Sequence, residues 1–155
     1  MALTLDEKGV VTPCPSCGQQ VRTSYARLGE GVRCARCKAD IPAPSEPIEV
    51  TSTPLFDALV SSSALPVVVD YWAPWCGPCR MVAPELKKVA ARHRGRVIVA
   101  KVNTELLSDL AARSRIQSIP TMALFSGGRE VSRTVGARPA AGIEEFISQA
   151  IAQPR

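Results

Sequence analysis

The sequence predicts an α/β fold, a mixed sheet sandwiched between helices, preceded by a small cysteine-rich head. Three observations carry this prediction. From residue 48 onward, apolar β-branched runs alternate with helical patterns and close on a glycine-turn hairpin. Before residue 42, four of the six cysteines form two Cys-x-x-Cys pairs. Between the two parts, residues 41–47 hold three prolines in seven positions and read as a semi-extended linker. The division drawn is residues 1–44 for the head and the start of its linker, and 45–155 for the body.

Within the body, residues 48–50 can form a short first strand. Thr53-Pro54 opens a helix with a capping hydroxyl and a proline at the first helical position; Leu55, Phe56, Leu59 and Val60 make its apolar face. Residues 66–72, Pro-Val-Val-Val-Asp-Tyr-Trp, have the pattern of a strand buried on both faces. A helix over 76–93 follows, with Pro84 expected to kink it, and then a strand over 97–102. Thr104 is expected to cap a helix running to about residue 113. Residues 121–125 and 130–135 pair across Gly127-Gly128. Pro139 opens a last helix with Ile143, Phe146, Ile147 and Ile151 on one face.

No apolar run approaches the roughly 20 residues needed to span a bilayer. The N-terminus carries Asp6 and Glu7 where an export signal needs positive charge and an apolar stretch, so the expectation is a cytoplasmic protein. The net charge of +5 invites a nucleic-acid reading, but residues 1–50 hold six bases and six acids. The surplus lies in residues 51–155, thirteen bases against eight acids, and is scattered. Such a surplus speaks to solubility rather than to a phosphate-reading surface, and a monomer that binds neither membrane nor nucleic acid is expected.

Cys76 and Cys79 stand between the apolar strand and the next helix, in Trp75-Cys-Gly-Pro-Cys79. Free amides and the positive helix end favour thiolate at Cys76. Lowering a thiol pKa from about 8.5 to about 7 raises the thiolate fraction at neutral pH roughly 16-fold. Falling nucleophilicity takes back about 5-fold, so the net gain is only about threefold, and geometry and a resolving thiol must supply the rest. Cys79 is one helical turn beyond Cys76, on the same face. Cys76 would attack a disulfide and Cys79 would then attack Cys76, leaving a 76–79 disulfide. Gly77 and Pro78 allow the tight turn, and Arg80 adds positive charge nearby.

Asp70 interrupts the most apolar strand of the chain, and an unpaired carboxylate there costs several kcal/mol. A buried acid of raised pKa suits proton transfer, so Asp70, acting through water, is a candidate to deprotonate Cys79. The alternative is a carboxylate satisfied by backbone or by Lys101. Pro120 in Ser118-Ile-Pro-Thr121 stands at a strand entry where a cis bond would bring the chain near the dithiol.

Cys14, Cys17, Cys34 and Cys37, with sixteen residues between the pairs, have the spacing of a tetrathiolate zinc site and resemble a rubredoxin-like zinc ribbon. Pro13, Pro15, Gly18, Gly29 and Gly31 supply turns. A head of about 40 residues cannot build a self-sufficient core and needs metal for most of its folding free energy, on the order of 10–16 kcal/mol. Arg22, Arg27, Arg33, Arg36 and Lys38 offset the net charge of the thiolate site. Zinc can be structural there, or a redox sensor lost when the thiolates oxidise; pairing of the four cysteines as disulfides is the remaining alternative.

Taken together, Asp70-Tyr-Trp-Ala-Pro74, the Cys-Gly-Pro-Cys motif, Met81-Val-Ala-Pro84, Lys101-Val-Asn-Thr104, Ile116-Gln-Ser-Ile-Pro-Thr121 and Val135-Gly136 resemble the thioredoxin family over residues 48–152. With the four-cysteine head, the whole chain is similar to the zinc-bearing bacterial type 2 form of that family. The resemblance implies the thioredoxin fold, Cys76 as nucleophile, Cys79 as resolving thiol, Asp70 as buried acid/base and Lys101 as its charge neighbour. It implies a cis Pro120, backbone pairing of Ile119 to an extended substrate, and a docking surface of Trp75, Gly77, Pro78, Ile119 and Gly136. Protein disulfides are the implied substrates and a flavoprotein thioredoxin reductase the implied electron donor. No glycine-rich dinucleotide fingerprint is present, so no nucleotide or flavin is expected on this chain. A disulfide isomerase or oxidant on the same fold is a rival reading; Gly-Pro between the cysteines resembles reductases. A redox- or zinc-responsive binding module, in which the dithiol only gates the ribbon, is another.

Overall fold

A computed structural model describes residues 3–152. The head is a three-stranded antiparallel sheet of β1 (Thr4–Leu5), β2 (Gly9–Pro13) and β3 (Gln20–Ser24), a 3-10 turn at Tyr25–Arg27, and a small ribbon of β4 (Val32–Arg33) and β5 (Asp40–Ile41). The body follows as β6 (Ile48–Glu49), α1 (Thr53–Ser62), β7 (Val67–Trp72), α2 (Gly77–Arg92), β8 (Ile98–Asn103), α3 (Ser108–Arg113), β9 (Thr121–Ser126), β10 (Arg129–Val135) and α4 (Ala140–Ala152). Its five strands lie in the order β10-β9-β7-β8-β6, parallel from β7 to β6 and antiparallel across β9 and β10.

The central strand β7 explains the layers. Successive side chains of a strand face opposite sides of the sheet. Val67, Val69 and Tyr71 join one apolar cluster with Phe56, Leu59 and Val60 of α1 and Leu110 of α3. Val68 joins the other, with Val82, Leu86 and Val89 of α2 and Ile143, Phe146 and Ile147 of α4. The face of Val68 is therefore also that of Asp70, and there α2 lies. The hairpin turns at Gly127-Gly128, both at positive φ (63° and 86°) as a tight two-residue turn requires, and a bulge at Val131 shifts the register between Glu130 and Ser132.

The head adds to this core. Val10, Tyr25 and Leu28 are buried in the same cluster as Ile48, Phe56 and Leu59, and the Ala64 amide donates to the Tyr25 carbonyl at 2.9 Å. Around the cysteines the head buries only Val21 and Ile41 besides Cys14 and Cys34.

Three local expectations are corrected. The cap of α1 is Ser52, not Thr53: Ser52 is extended (φ −155°, ψ 157°) and its Oγ accepts from the Leu55 amide at 3.3 Å, leaving Thr53 as the first helical residue. Thr104 caps no helix, because its hydroxyl and amide both donate to the Trp72 carbonyl; a turn intervenes and α3 starts at Ser108. In α4 the inward position is Ala150, while Ile151 is exposed. Pro84 stands inside α2, which runs on unbroken.

Candidate active site and metal centre

Cys76 is the N-cap of α2. Its backbone is extended (φ −86°, ψ 111°) and its sulfur accepts from the Cys79 amide at 3.2 Å. The two cysteines are joined as a disulfide, with Cα atoms 5.2 Å apart, and both are buried. They cluster with Ala73, Trp72 and Ile119. The Ile119–Pro120 peptide bond is cis, and the Ile119 carbonyl oxygen lies 3.9 Å from Cys76 Sγ. The Gly136 amide donates to the Pro120 carbonyl at 2.9 Å, bringing the start of the β10–α4 connection to this loop. Gly77 and Pro78 are the first residues of α2. Trp75 is exposed, with its indole N–H donating to Glu105. The dithiol residues and the loop residues Ile119, Pro120 and Gly136 are thus brought together at the C-terminal end of β7.

Asp70 is 1% exposed, and neither carboxylate oxygen has a hydrogen-bond partner among the described residues. Backbone satisfaction of Asp70 does not occur. Burial pushes its pKa up to about 7, Lys101 pulling against it and Glu49 reinforcing it. Lys101 is the register partner of Asp70 across β7 and β8, and its ammonium sits 4.5 Å from the Trp72 ring centroid. Glu49 is the residue that sequence reasoning missed. Only the β6–β8 register, which sets it opposite Lys101, reveals it.

The folded and unfolded chains therefore differ in their grip on the Asp70 proton. Below pH about 4 the group is protonated in both states. Above that the unfolded chain ionises, while the folded chain holds its proton until pH about 7. Stability should fall by up to about 4 kcal/mol across this window and then level off. Urea unfolding of the oxidised protein, followed from pH 4 to 8, should show this slope in the wild type and lose it in Asp70→Asn.

The four head cysteines form a separate cluster. Their sulfurs lie within 4.8 Å of one another, with Cys14 to Cys37 at 3.6 Å and Cys17 to Cys34 at 3.7 Å. A tetrahedron of bonds of about 2.3 Å has edges of about 3.8 Å, so the quartet fits a tetrahedral thiophilic ion. Two matching turns build it. Gly18 N donates to the Cys14 carbonyl and Lys38 N to the Cys34 carbonyl, each at 2.9 Å, and both residues lie at positive φ (79° and 67°). The amides of Cys17 and Ser16 favour thiolate at Cys14, and those of Cys37 and Arg36 bring Cys34 down to about 6. Cys37, crowded by the other three sulfurs, is pushed the other way, up to about 11, so the turns favour thiolate at one cysteine of each pair.

Residues 47–149 match the family model described as Thioredoxin. The chain belongs to the thioredoxin family. It is 47% identical over 95 residues to Thioredoxin 1 of Chlorobaculum tepidum, covering 61% of this chain and 94% of that one. With Thioredoxin C-3 of Corynebacterium nephridii it is 35% identical over 144 residues, 93% of this chain and 97% of the other, so this match takes in head as well as body. The fold is shared with the solved structure of a mutant thioredoxin from Halobacterium salinarum NRC-1, at a TM-score of 0.64 and 28% identity, over 72% of this chain and 96% of that one. As a thioredoxin the protein is a thiol-disulfide oxidoreductase with a redox disulfide, and its family supports disulfide reduction. Among the described residues, no helix is long and apolar enough to cross a membrane.

Proposed function

We propose that the protein is a protein-disulfide reductase whose working dithiol is Cys76 and Cys79. The observation that carries this reading is the placement of Cys76 at the N-cap of α2, with an amide aimed at its sulfur and Cys79 bonded to it. Cysteines so placed in Cys-x-x-Cys motifs, those of thioredoxins included, have pKa values within roughly 3.5–7.5. An extended protein segment docks on Trp75, Gly77, Pro78, Ile119 and Gly136, with Ile119 backbone groups pairing to it and cis Pro120 shaping the loop. Cys76 thiolate attacks a substrate disulfide, breaking its S–S bond, releasing one substrate thiolate and forming a mixed disulfide. Asp70, with Lys101 as charge neighbour, takes the proton of Cys79 through water. Cys79 thiolate then attacks Cys76, the second substrate thiolate leaves, and the 76–79 disulfide remains. Two electrons from a thioredoxin reductase restore the dithiol. The chain works as a cytoplasmic monomer.

In the head, Cys14, Cys17, Cys34 and Cys37 would hold one zinc ion, which supplies structural cross-linking there. The chain's own contribution is the pair of turns that aims four sulfurs at one point; Arg22, Arg27 and Arg33, expected to balance the thiolate charge, instead pair with Asp6, Glu30 and Asp40.

The test couples insulin reduction to NADPH consumption through thioredoxin reductase. Turnover is expected in the wild type and none in Cys76→Ser. Asp70→Asn should slow release of the mixed disulfide more than its formation. No turnover in a folded, metal-loaded wild type would overturn the reductase reading, and equal slowing of both steps would remove the role given to Asp70.

A further inference from the structure

A row of three charged residues crosses the sheet on the α2 face. Glu49 of β6 is opposite Lys101 of β8, and Lys101 is opposite Asp70 of β7. Paired residues of neighbouring strands share a face, and Trp72, two positions beyond Asp70, shares it too. Trp72 ties the row together: its indole N–H donates to Glu49 Oε2 at 3.3 Å while the Lys101 ammonium lies over its ring. A groove of about 700 Å³ opens on the row, lined by Ser45, Glu46 and Pro47 of the proline segment, Ala83, Lys87 and Ala91 of α2, and by Glu49 and Lys101 themselves. The inner carboxylate is sealed, whereas Glu49 is exposed.

We infer that Glu49 is a positioning residue for the resolving step: it holds Lys101 away from undivided service to Asp70 and keeps a proton on Asp70. The inference rests on the proton-transfer role proposed for Asp70. Its physics is a count of charges. Two carboxylates share one ammonium in the row, so the second ionisation leaves a net negative charge beside a dry wall. Glu49, open to water, ionises first, and Asp70 retains the proton it exchanges with Cys79. Glu49 is solvent-accessible but partly desolvated against the row, which raises its pKa while Lys101 lowers it, so the outer carboxyl also feels the row. The charged groups facing Asp70 are Glu49 from β6 and Lys101 from β8, with Lys87 of α2 and Glu46 of the proline segment at the groove; β9 presents uncharged Met122. Without the Glu49 charge, Lys101 serves Asp70 alone and the proton leaves at lower pH.

The test uses the reduced full-length protein and an aromatic disulfide such as Ellman's reagent. Attack by Cys76 releases the first aryl thiolate and attack by Cys79 releases the second, so the two steps are read as two phases. In Glu49→Gln the pH midpoint of the second phase is expected to move down by about half a unit or more, with the first phase unmoved. Glu49→Asp should restore most of it, and Glu49→Gln should add nothing in an Asp70→Asn background. Carbon NMR of the Asp70 carboxyl should show the same downward movement. A second phase that needs Asp70 but keeps its midpoint in Glu49→Gln overturns this inference alone. A second phase indifferent to Asp70→Asn overturns the role of Asp70, and the inference with it.

Discussion

Cys79→Ser is expected to turn the protein into a trap that captures substrate stoichiometrically and does not let it go. Cys76 keeps its place at the N-cap of α2, because the amide that reaches its sulfur belongs to the backbone of residue 79 and survives the change. The first attack therefore proceeds. The second cannot, since a hydroxyl ionises far above the thiol value of about 8.5 and a thiolate is the attacking species. Steady-state insulin reduction should disappear, and a mixed disulfide with Cys76 should persist on non-reducing gels. Residual turnover in Cys79→Ser would mean that another thiol resolves the intermediate; the four head cysteines could then be tested one pair at a time.

Withdrawing the zinc proposed for the head is expected to destabilise the whole chain. Without an ion, four converging sulfurs lose their common partner, and Val21 and Ile41 give the region around them little other core. Structural zinc in zinc-finger peptides contributes apparent free energies on the order of 10–16 kcal/mol, the scale expected for the proposed ion. The unfolding does not stop at the head, because Tyr25 and Leu28 are part of the body's cluster. Emptying such buried positions costs about 2–5 kcal/mol each, which for a body of this size is a fall in Tm of about 10 °C or more. Thermal melts with and without a strong chelator, with zinc release followed by a chromogenic dye, check this. A body that melts unchanged after complete metal loss would show that the head contributes nothing to it.

The parts of the fold that could be read in advance are those where one local pattern dominates. The run of residues 66–72 has no water-facing alternative, and Cys76 is marked as a helix start by the glycine and proline that follow it. The two cysteine quartet halves are legible by spacing alone. What escaped the sequence is contact between distant segments. Nothing near Tyr25 or Leu28 announces that they will lie against Phe56 and Leu59. Glu49 reads as one polar residue beside a proline segment until strand register sets it across from Lys101. Adjacent hydroxyls are likewise ambiguous: Ser52 and Thr53 can each cap, and the backbone that turns extended at Ser52 decides between them.

The shared cluster of head and body bears on how such proteins can be cut and recombined. The body of this chain has a socket, floored by Ile48, Phe56 and Leu59, into which Val10, Tyr25 and Leu28 plug. Severing residues 42–47 would leave that socket wet and prone to self-association, so the excised body would behave as a fragment rather than as a smaller enzyme. Grafting the head onto another redox domain would fail for the mirror-image reason unless the socket travelled with it. Plug and socket are one part, and engineering either means engineering both.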